Sequence, residues 1–326
     1  MKTLTVFTPT YNRKHTICRT FESLLRQKSK DFDWLVIDDG STDGTREWIE
    51  SLGDKVCLSG DTYDWMGRRI SVPDGNHFVI EAKDLRVEYI YKPNGGLYTG
   101  YNVAYSAIST ELCVCVDSDD YMSDDAVDTI LKSWKGRNKE QEYCGVLGLD
   151  FNVVDKLPIG GYFPSDLKEV FFHDLRLRKL HTGDTKPVLR TALMKAVAPM
   201  EGFEGEKNFN PIYLMLQVCD KYPLVVVNEN FCWVEYQIGL DSMSQGIYRQ
   251  YVNSPRSFAK MRLQEMALQR NTLKDRFRSC VHYVASCLIA RDGMWIAKSP
   301  KKLLTLMAAP FGVLWYWFIM YKYKQA

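Results

Sequence analysis

The chain has 326 residues, of which 46% are apolar and 25% charged, and its formal net charge is +2. This composition is that of a globular protein with one large domain, or a domain with an appendage, and it excludes a chain too polar to fold. The small net charge conceals an asymmetry: residues 1–248 carry 28 Lys and Arg against 37 Asp and Glu, whereas residues 249–326 carry 14 against 3. A basic tail on an acidic body predicts that the tail meets an anionic partner.

The nine cysteines are scattered, form no Cys-x-x-Cys pair, and in several cases lie in apolar runs. This usage favours reduced, buried thiols and a cytoplasmic location over a disulfide framework or a zinc site. Met1-Lys2 leads directly into a strand pattern, so no signal peptide is predicted. No segment resembles a nucleic-acid-binding module, and no nucleic-acid partner is expected.

Strand and helix patterns alternate at the start of the chain. Leu4–Thr8 is rich in β-forming residues and is followed by Pro9, and apolar residues then recur at helical spacing from Arg13 to Leu25. Trp34–Ile37 predicts a second strand, which ends in an Asp-Asp-Gly-Ser-Thr-Asp-Gly turn. Strand, helix and strand at this spacing predict parallel strands with right-handed crossovers, and therefore an α/β fold.

Residues 56–86 interrupt this alternation. Asp74-Gly75 lies between two β-prone runs, which is the sequence signal for a hairpin, so a hairpin-like surface insertion is predicted. Val87–Tyr91 then resumes the sheet, and the turn Lys92–Gly96 leads into another helix.

The most informative stretch is Glu111–Asp120. A Leu-Cys-Val-Cys-Val run predicts a strand buried on both faces, and three carboxylates, Asp117, Asp119 and Asp120, follow it. Like charges this close repel, and hard oxygen ligands suit Mg²⁺ or Mn²⁺ bridging the phosphates of a substrate. The alternative is that the acids lie on a loop and cap the helix beginning near Ser123. An EF-hand is discarded, because the glycine that its turn needs is missing.

Ligands of open parallel sheets bind at the carboxyl ends of the strands. Four predicted strand ends carry polar or glycine-rich segments, namely Thr8–Tyr11, Asp38–Asp39, Asn94–Gly96 and Asp117–Asp119. We therefore expect the four segments to converge on one cleft. No GxGxxG follows the first strand and no P-loop motif is present, so the sequence does not support a dinucleotide-binding or P-loop protein.

Four motifs in this order resemble the family 2 glycosyltransferases, which are inverting enzymes with the GT-A fold. They are Phe7-Thr-Pro-Thr-Tyr-Asn-Arg13, Val36-Ile-Asp-Asp-Gly-Ser-Thr-Asp-Gly-Thr45, Asn94-Gly-Gly96 and Val116-Asp-Ser-Asp-Asp120. The resemblance covers roughly residues 3–245 and implies a GT-A catalytic domain over residues 1–248, with a mostly parallel sheet and flanking helices. Many members build capsule, O-antigen or exopolysaccharide, so the resemblance implies sugar transfer from a nucleotide-sugar donor, with a UDP-hexose favoured.

The resemblance also implies roles for the strand ends. The end of the first strand would line the site of the nucleotide base, and Asp39 would hydrogen-bond to that base. The residues implied to bind the donor are Thr8, Pro9, Tyr11, Arg13, Asp38, Asp39, Asn94, Gly95, Gly96, Asp117 and Ser118. Asp119, with Asp117, would hold Mn²⁺ or Mg²⁺ on the diphosphate, where the metal would neutralise charge growing on the leaving group.

Inversion also needs a carboxylate base that deprotonates the attacking hydroxyl, and the resemblance points to residues 183–207 for it. In relatives, an acidic residue that opens a helix follows a Gly-Glu-Lys motif. This chain has Pro211 at that position, and the preceding Asn210 predicts a helix N-cap. The candidate bases, in order of preference, are Glu206, Glu204 and Asp184. The alternative is that Glu206 only pairs with Lys207 on a loop.

The basic tail, residues 249–326, predicts helices followed by an apolar segment. Residues 303–321 carry no charge, and as a helix they would be about 28 Å long, close to the hydrocarbon thickness of a bilayer. Pro310 and Gly312 interrupt the segment, so we expect two short helical pieces lying on the inner leaflet, with nearby lysines at anionic lipid. The alternatives are a membrane-spanning helix, or helices packed on the body or on a second copy in a homodimer.

Taken together, the patterns predict a cytoplasmic enzyme, peripheral on the inner face of the membrane. It would transfer one sugar from a nucleotide donor to a hydroxyl of a saccharide acceptor, which the family implies is carried on polyprenyl diphosphate. One alternative is a sugar-nucleotide nucleotidyltransferase, although the loop that it needs for a triphosphate is missing after the first strand. The other alternative is a non-catalytic, membrane-bound scaffold with a degenerate site.

Overall fold

A computed structural model of the chain describes residues 2–58, 62–65, 68–71, 75–235 and 246–325, with only the backbone described for 62–65 and 68–71. The chain forms two compact units. The first comprises residues 1–95, 99–200 and 214–236, and the second comprises 96–98, 201–213 and 237–326. Segment 201–213 therefore groups with the tail, whereas the predicted boundary fell at residue 248. The segment Asp241–Ser244, where the resemblance ended, lies outside the described residues.

The first unit contains the strands of the protein. In chain order they are β1 (Leu4–Thr10), β2 (Phe32–Asp38), β3 (Lys55–Cys57), β4 (Thr62–Trp65), β5 (Arg68–Ser71), β6 (His77–Ala82), β7 (Leu85–Tyr91), β8 (Leu112–Cys115), β9 (Tyr121–Met122), β10 (Gly145–Asn152), β11 (Glu169–Val170), β12 (Thr185–Arg190) and β13 (Leu224–Val234).

The helices occur throughout the chain, and the last five form the tail. In chain order they are α1 (Lys14–Leu25), α2 (Thr45–Glu50), α3 (Leu97–Ala107), α4 (Ala126–Lys135), α5 (Phe172–Leu177), α6 (Thr191–Val197), α7 (Ile212–Cys219), α8 (Ile247–Asn253), α9 (Pro255–Ala267), α10 (Leu273–Ile289), α11 (Trp295–Lys298) and α12 (Lys302–Gln325).

Four parallel strands in the order β8-β1-β2-β7 form the centre of the main sheet. Thr10 of β1 pairs with Asp38 of β2, so the carboxyl ends of these strands lie side by side. The sheet continues through β6 and β3 on one side and through β12, β10, β13 and β11 on the other, mostly by antiparallel pairing. The predicted α/β fold with a parallel centre is confirmed.

The central strands are buried along almost their whole lengths. Leu4, Val6, Trp34, Val36 and Val114 have no solvent-accessible surface and belong to one apolar core. Parallel strands with helices on both faces need such continuous apolar runs, because neither face meets water. This close-packed core holds the strand ends that carry the candidate site residues.

The predicted hairpin-like insertion at residues 56–86 contains antiparallel strand pairs among the described residues. β4 pairs with β5, and β6 pairs with β7 and with β3. Phe78 and Ile80 of β6 are fully buried in the main core, so this strand extends the main sheet. The hairpin predicted across Asp74-Gly75 stays a prediction, because Asp74 lies outside the described residues.

In the second unit, α12 packs along α10. Thr305, Ala308, Gly312 and Ile319 are buried on the side of α12 that faces the other tail helices. A Cβ atom at Gly312 would lie 2.5 Å from Cβ of Val284 on α10, so the absence of a side chain allows the two helices to approach closely.

The prediction of two short helical pieces over residues 303–321 is wrong, because α12 runs through Pro310 without a break. Proline removes one backbone hydrogen bond from a helix interior and normally kinks or breaks it. Here the helix is supported from the side, because its buried positions recur at helical spacing and pack on α10.

The opposite side of α12 is an exposed apolar face. Its members are Leu303, Leu306, Met307, Phe311, Val313, Leu314, Trp317, Phe318 and Tyr321, each at least 39% exposed. Within the described part of the chain, α12 is the one helix long and apolar enough to cross a membrane, by length and composition.

Candidate active site

The end of β1 supplies the first predicted donor-binding residues. Thr8 is fully buried and its Oγ1 accepts a hydrogen bond of 3.0 Å from Nε1 of Trp34, while Pro9 is also buried. Tyr11 follows the strand and is 50% exposed. Of these three side chains, Tyr11 is therefore the one exposed to solvent, whereas Thr8 and Pro9 belong to the buried strand.

Two residues join the loop after β1 to the loop after β2. The backbone N–H of Asn12 donates to Oγ of Ser41, and Oδ1 of Asn12 accepts from the N–H of Thr42, both at 2.8 Å. Asp43 accepts from the N–H of Lys14 at 2.9 Å. Sequence analysis assigned no role to Asn12 or Asp43, although short Asn and Asp side chains that bond nearby backbone are typical of such turns.

Asp38 is buried and both of its oxygens accept hydrogen bonds. Oδ2 accepts from the hydroxyl of Tyr89 at 2.6 Å and Oδ1 accepts from the N–H of Ser41 at 2.7 Å. Burial raises the pKa of Asp38, and these two bonds oppose the rise. Asp38 therefore holds the Asp-Gly-Ser turn to the sheet.

Asp39 is 6% exposed and forms an ion pair with the buried Lys92. Its Oδ1 also accepts from the N–H of Gly95 at 2.9 Å, which ties the Asn-Gly-Gly turn to the end of β2. Gly40 has a φ of +90°, and a Cβ there would lie 2.9 Å from the backbone N of Asn94, so the two turns are in contact. Sequence analysis assigned no role to Lys92; a lysine at the end of a strand, before proline, is its only sequence signal.

The acidic turn after β8 contains carboxylates in different environments. Asp117 is exposed, Ser118 and Asp120 are each 6% exposed, and Asp119 is half-buried. Burial and the neighbouring charge of Asp117 raise the pKa of Asp119, while Arg13 and Arg19 lower it. The predicted donor-binding residue Arg13 is thus close enough to the acidic turn to act on its charge.

The acidic turn has the donors that a hard divalent cation requires. Asp117 and Asp119 offer carboxylate oxygens whose mutual repulsion a cation would relieve. No group of three or more ligating His, Cys, Asp or Glu side chains occurs within the described residues. Two carboxylates suit Mg²⁺ or Mn²⁺ shared with substrate phosphates and water, and do not suit a closed protein cage.

A buried lysine that sequence analysis missed lies beneath this turn. Nζ of Lys186 is 3.8 Å from Oδ2 of Asp120 and 3.6 Å from Oδ1 of Asp150. Burial lowers the pKa of Lys186, but Asp150 and Asp120 outweigh burial and raise it. The ammonium group therefore stays charged and offsets part of the negative charge at the acidic turn. In the sequence, the one indication of this role is a lysine within a strand pattern.

Asp184, a candidate base, is exposed just before β12. Burial raises the pKa of Asp150 to about 6, and the charges of Asp184 and Asp117 add to that rise against the opposing effect of Lys186. Asp184 and the acidic turn thus act on the same buried carboxyl within the first unit.

Glu235 also belongs to the first unit and forms an ion pair with Arg19 at 2.5 Å, with both side chains more than one-third exposed. This ion pair joins α1 to the residue that follows β13.

The other two candidate bases, Glu204 and Glu206, belong to the second unit. Glu204 is exposed, whereas Glu206 is 5% exposed and accepts four hydrogen bonds from the first turn of α9. Gly96 belongs to this unit as well, with a φ of +92°. The predicted N-cap is confirmed, because Oδ1 of Asn210 accepts from the N–H of Ile212 at 3.0 Å.

A parallel sheet centre with an acidic strand end and glycine turns beside it defines an α/β protein of the GT-A class. The fold is similar to that of residues 1–349 of TarS from S. aureus, with a TM-score of 0.56 and 17% sequence identity over 100% of this chain and 92% of that one. The same TarS fragment in complex with UDP-GlcNAc gives a TM-score of 0.55 at 16% identity, with the same coverage. Similarity at this level of identity concerns the fold alone.

Sequence comparison finds similarity to glycosyltransferases. The model of "Glycosyl transferase family 2" matches residues 5–62. Chondroitin synthase and hyaluronan synthase from Pasteurella multocida are each 30% identical over 131 residues, which is 40% of this chain and 11% of each synthase. GlyA, a glycosyltransferase from Streptococcus pneumoniae, is 26% identical over 129 residues, which is 14% of its length. The chain is thus similar to family 2 glycosyltransferases over these stretches, and the matched stretch is a small part of each of these relatives.

Proposed function

We propose that the protein is an inverting glycosyltransferase that moves one sugar from a nucleotide donor, a UDP-hexose, to a hydroxyl of a saccharide acceptor. The observation that carries this proposal is the acidic turn after β8, where exposed Asp117 and half-buried Asp119 follow a fully buried parallel strand. The family supports the reaction class, and the complex of TarS with UDP-GlcNAc supports a UDP-linked donor for a protein of this fold.

The donor lies across the ends of β1, β2 and β8 in this proposal. Tyr11 packs on the nucleotide base over the floor made by Thr8 and Pro9. Asp39, fixed by Lys92 and by the N–H of Gly95, presents its carboxylate to the base or ribose. A preorganised carboxylate loses little side-chain entropy on binding, which favours one orientation of the nucleoside.

Asp117 and Asp119 would hold Mn²⁺ or Mg²⁺ against the donor diphosphate. The metal, when bound, stabilises the negative charge that develops on the leaving nucleoside diphosphate. Arg13 and Lys186 contribute fixed positive charge near the same turn.

The base in this proposal is Asp184. Glu206 is enclosed by hydrogen bonds from α9, whereas Asp184 is exposed to solvent and shares a compact unit with the acidic turn. An exposed carboxylate can reach an acceptor hydroxyl and return its proton to solvent.

For Asp184→Asn, we expect kcat to fall by roughly 10²–10⁴ with donor affinity unchanged, because only proton removal is lost. Asp166→Asn, at another exposed aspartate of the first unit, serves as the control and should leave kcat unchanged. Transfer at the normal rate by Asp184→Asn would assign the base to another carboxylate, with Glu204 next. Equal loss of donor binding and transfer would assign Asp184 a structural role.

The acceptor is a lipid-linked saccharide in this proposal, and the tail brings the enzyme to the membrane. The exposed apolar face of α12 runs between lysines at both ends of the helix: Lys298 and Lys301 precede it, Lys302 is its first residue, and Lys322 and Lys324 lie in its last turn. Aromatic and basic residues at the edges of an apolar helix face favour the interface of a bilayer that contains anionic lipid.

The experiment that tests the proposed function is calorimetric titration of the full chain with UDP-glucose, UDP-galactose, UDP-GlcNAc and GDP-mannose, in Mn²⁺ and in EDTA. We expect metal-dependent binding of a UDP-sugar and no comparable binding of the GDP-sugar. If none of the four donors binds in Mn²⁺, the proposal is wrong, and the alternative of a non-catalytic, membrane-bound scaffold is favoured.

A further inference from the structure

The carboxylate of Glu206 is the cap of helix α9. Its Oε1 accepts from the backbone N–H and Nε of Arg256, at 3.1 and 2.9 Å, and its Oε2 accepts from the N–H and Oγ of Ser257, both at 2.7 Å. A carboxylate has about four acceptor positions, and here protein donors occupy four. Such a carboxylate has no position left for the hydroxyl of a substrate.

The same helix turn holds the segment around Glu206. The guanidinium of Arg256 donates to the carbonyl of Glu204 at 2.7 Å and lies 5.1 Å from the ring centre of Phe203. Nζ of Lys260 donates to the carbonyl of Glu201 at 2.8 Å. The segment is thus bound to α9 through its backbone as well as through the Glu206 side chain.

The residue after Glu206 is in close contact with Gly96. A Cβ atom at Gly96 would lie 2.3 Å from the carbonyl oxygen of Lys207. The φ of +92° at Gly96 is one that residues other than glycine rarely adopt. The backbone of Lys207 can therefore occupy this position only while residue 96 has no side chain and keeps this backbone conformation. The three parts, α9, Glu206–Lys207 and Gly96, form one continuous packed series within the second unit.

We infer that Glu206 is a positioning residue: by capping α9 it holds the Lys207 carbonyl against Gly96, and so sets the conformation of the Asn-Gly-Gly turn. This inference rests on the proposed function for its effect on the donor, because that function assigns the turn to the donor site. It gives the tail a role in the reaction cycle besides attachment. It also predicts that residues of α9 affect the Michaelis constant for the donor.

The test compares Glu206→Gln and Arg256→Ala with the control Lys274→Ala, which removes an exposed cation of α10. Each full-length variant is assayed for donor KM, kcat, the pH profile of kcat, and hydrogen exchange of peptides covering residues 201–213. We expect both variants, but not the control, to raise donor KM by about 10-fold, with the acidic limb of the pH profile kept. We also expect faster exchange over residues 201–213 in both.

A different set of kinetic results would identify Glu206 as the catalytic base. If Glu206→Gln lowers kcat by about 10²-fold or more, removes the acidic limb, and leaves KM and exchange unchanged, while Arg256→Ala is normal, the inference is wrong. If Glu206→Gln does not fold, Arg256→Ala carries the test, since it keeps the carboxylate and removes one of its four donors together with the hydrogen bond to the carbonyl of Glu204. Unchanged exchange in Arg256→Ala would also overturn the inference. Hydrogen exchange can be measured on an inactive protein. The exchange result therefore still tests the role of Glu206 if the proposed function alone is wrong.

Discussion

His282 lies in the packed tail, where its environment disfavours a positive charge. Burial and, to a lesser extent, the positive charges of Arg262 and Arg278 together lower the pKa of His282 to about 4, against the opposing effect of Glu265. Its Nδ1 is 2.8 Å from the hydroxyl of Tyr251. The ordinary pKa near 6.5 applies to the unfolded chain, so the unfolded state takes up this proton first as the pH falls.

This difference predicts acid sensitivity of the tail. The contribution of His282 to stability is complete above about pH 6.5 and is lost as the pH falls towards 4, on the order of 2 kcal/mol at pH 4.5. His282→Gln should therefore lose less stability between pH 7 and pH 4.5 than the normal chain, as measured by urea unfolding at each pH. The exposed His15→Gln is the control, and an equal pH response in both variants and the normal chain would contradict the prediction.

In the proposed function, Asp119 is one of the two carboxylates that hold the metal. Asp119→Asn removes one of two ligating carboxylates, so we expect metal-dependent transfer to fall by about 10²-fold or more, because a Lewis acid contributes several kcal/mol to such a step. The thermal unfolding temperature in EDTA should not fall, since burial and Asp117 already disfavour the ionised side chain. Activity is measured with Mn²⁺ and with EDTA, against the control Asp166→Asn. Normal transfer by the variant in EDTA would rule out the metal site.

At the scale of elements, the contact between α10 and α12 depends on one glycine. A Cβ at Gly312 would meet the side chain of Val284 at 2.5 Å, so we expect Gly312→Ala to destabilise the protein by about 1–3 kcal/mol through overpacking. Helix propensity alone favours alanine by about 1 kcal/mol, so the two effects have opposite signs. The change in stability of Gly312→Ala, measured by thermal unfolding, shows whether overpacking or helix propensity is the larger effect.

Gly293→Ala provides the comparison for Gly312→Ala, because a Cβ at Gly293 meets nothing within 4 Å. It should change stability by less than about 1 kcal/mol. A gain in stability for Gly312→Ala would show that packing does not limit this position.

At the scale of the whole molecule, charge and apolar surface are both unevenly distributed. The tail carries an excess of 11 positive charges, the rest of the chain an excess of 9 negative charges, and the largest series of exposed apolar side chains lies on α12. A solvent-exposed apolar helix face of this length marks an interaction site. Its basic flanks favour an anionic lipid surface over another protein surface.

We therefore expect the protein to co-sediment with vesicles containing phosphatidylglycerol, more weakly with pure phosphatidylcholine, and less at high salt. Replacing Leu314 and Trp317 together by serine should abolish most of this binding. Val154 and Leu157, exposed apolar residues of the first unit, are replaced by serine in the control. Absence of vesicle binding, together with a dimer in sedimentation that the α12 variant disrupts, would assign the face to a second copy.

Local patterns predicted the parts of the protein that depend on neighbouring residues. Continuous apolar runs identified β1, β2 and β8, because a strand buried on both faces has no polar alternation. The polar and glycine-rich strand ends identified the donor and metal residues to be tested, because the carboxyl ends of parallel strands meet at one edge. The Asn210 cap was also predictable, since it acts on residues directly after it.

Contacts between residues far apart in the sequence determined the features that local patterns did not predict. The sequence alone cannot indicate that Asp39 pairs with Lys92, that Lys186 lies between Asp120 and Asp150, or that α9, fifty residues later in the chain, encloses Glu206. One departure has the same cause: α12 stayed continuous through Pro310. Its burial against α10 outweighed a local preference worth about 3 kcal/mol. Sequence therefore determined the strands and the chemistry at their ends, and tertiary packing determined which charged groups remain available for that chemistry.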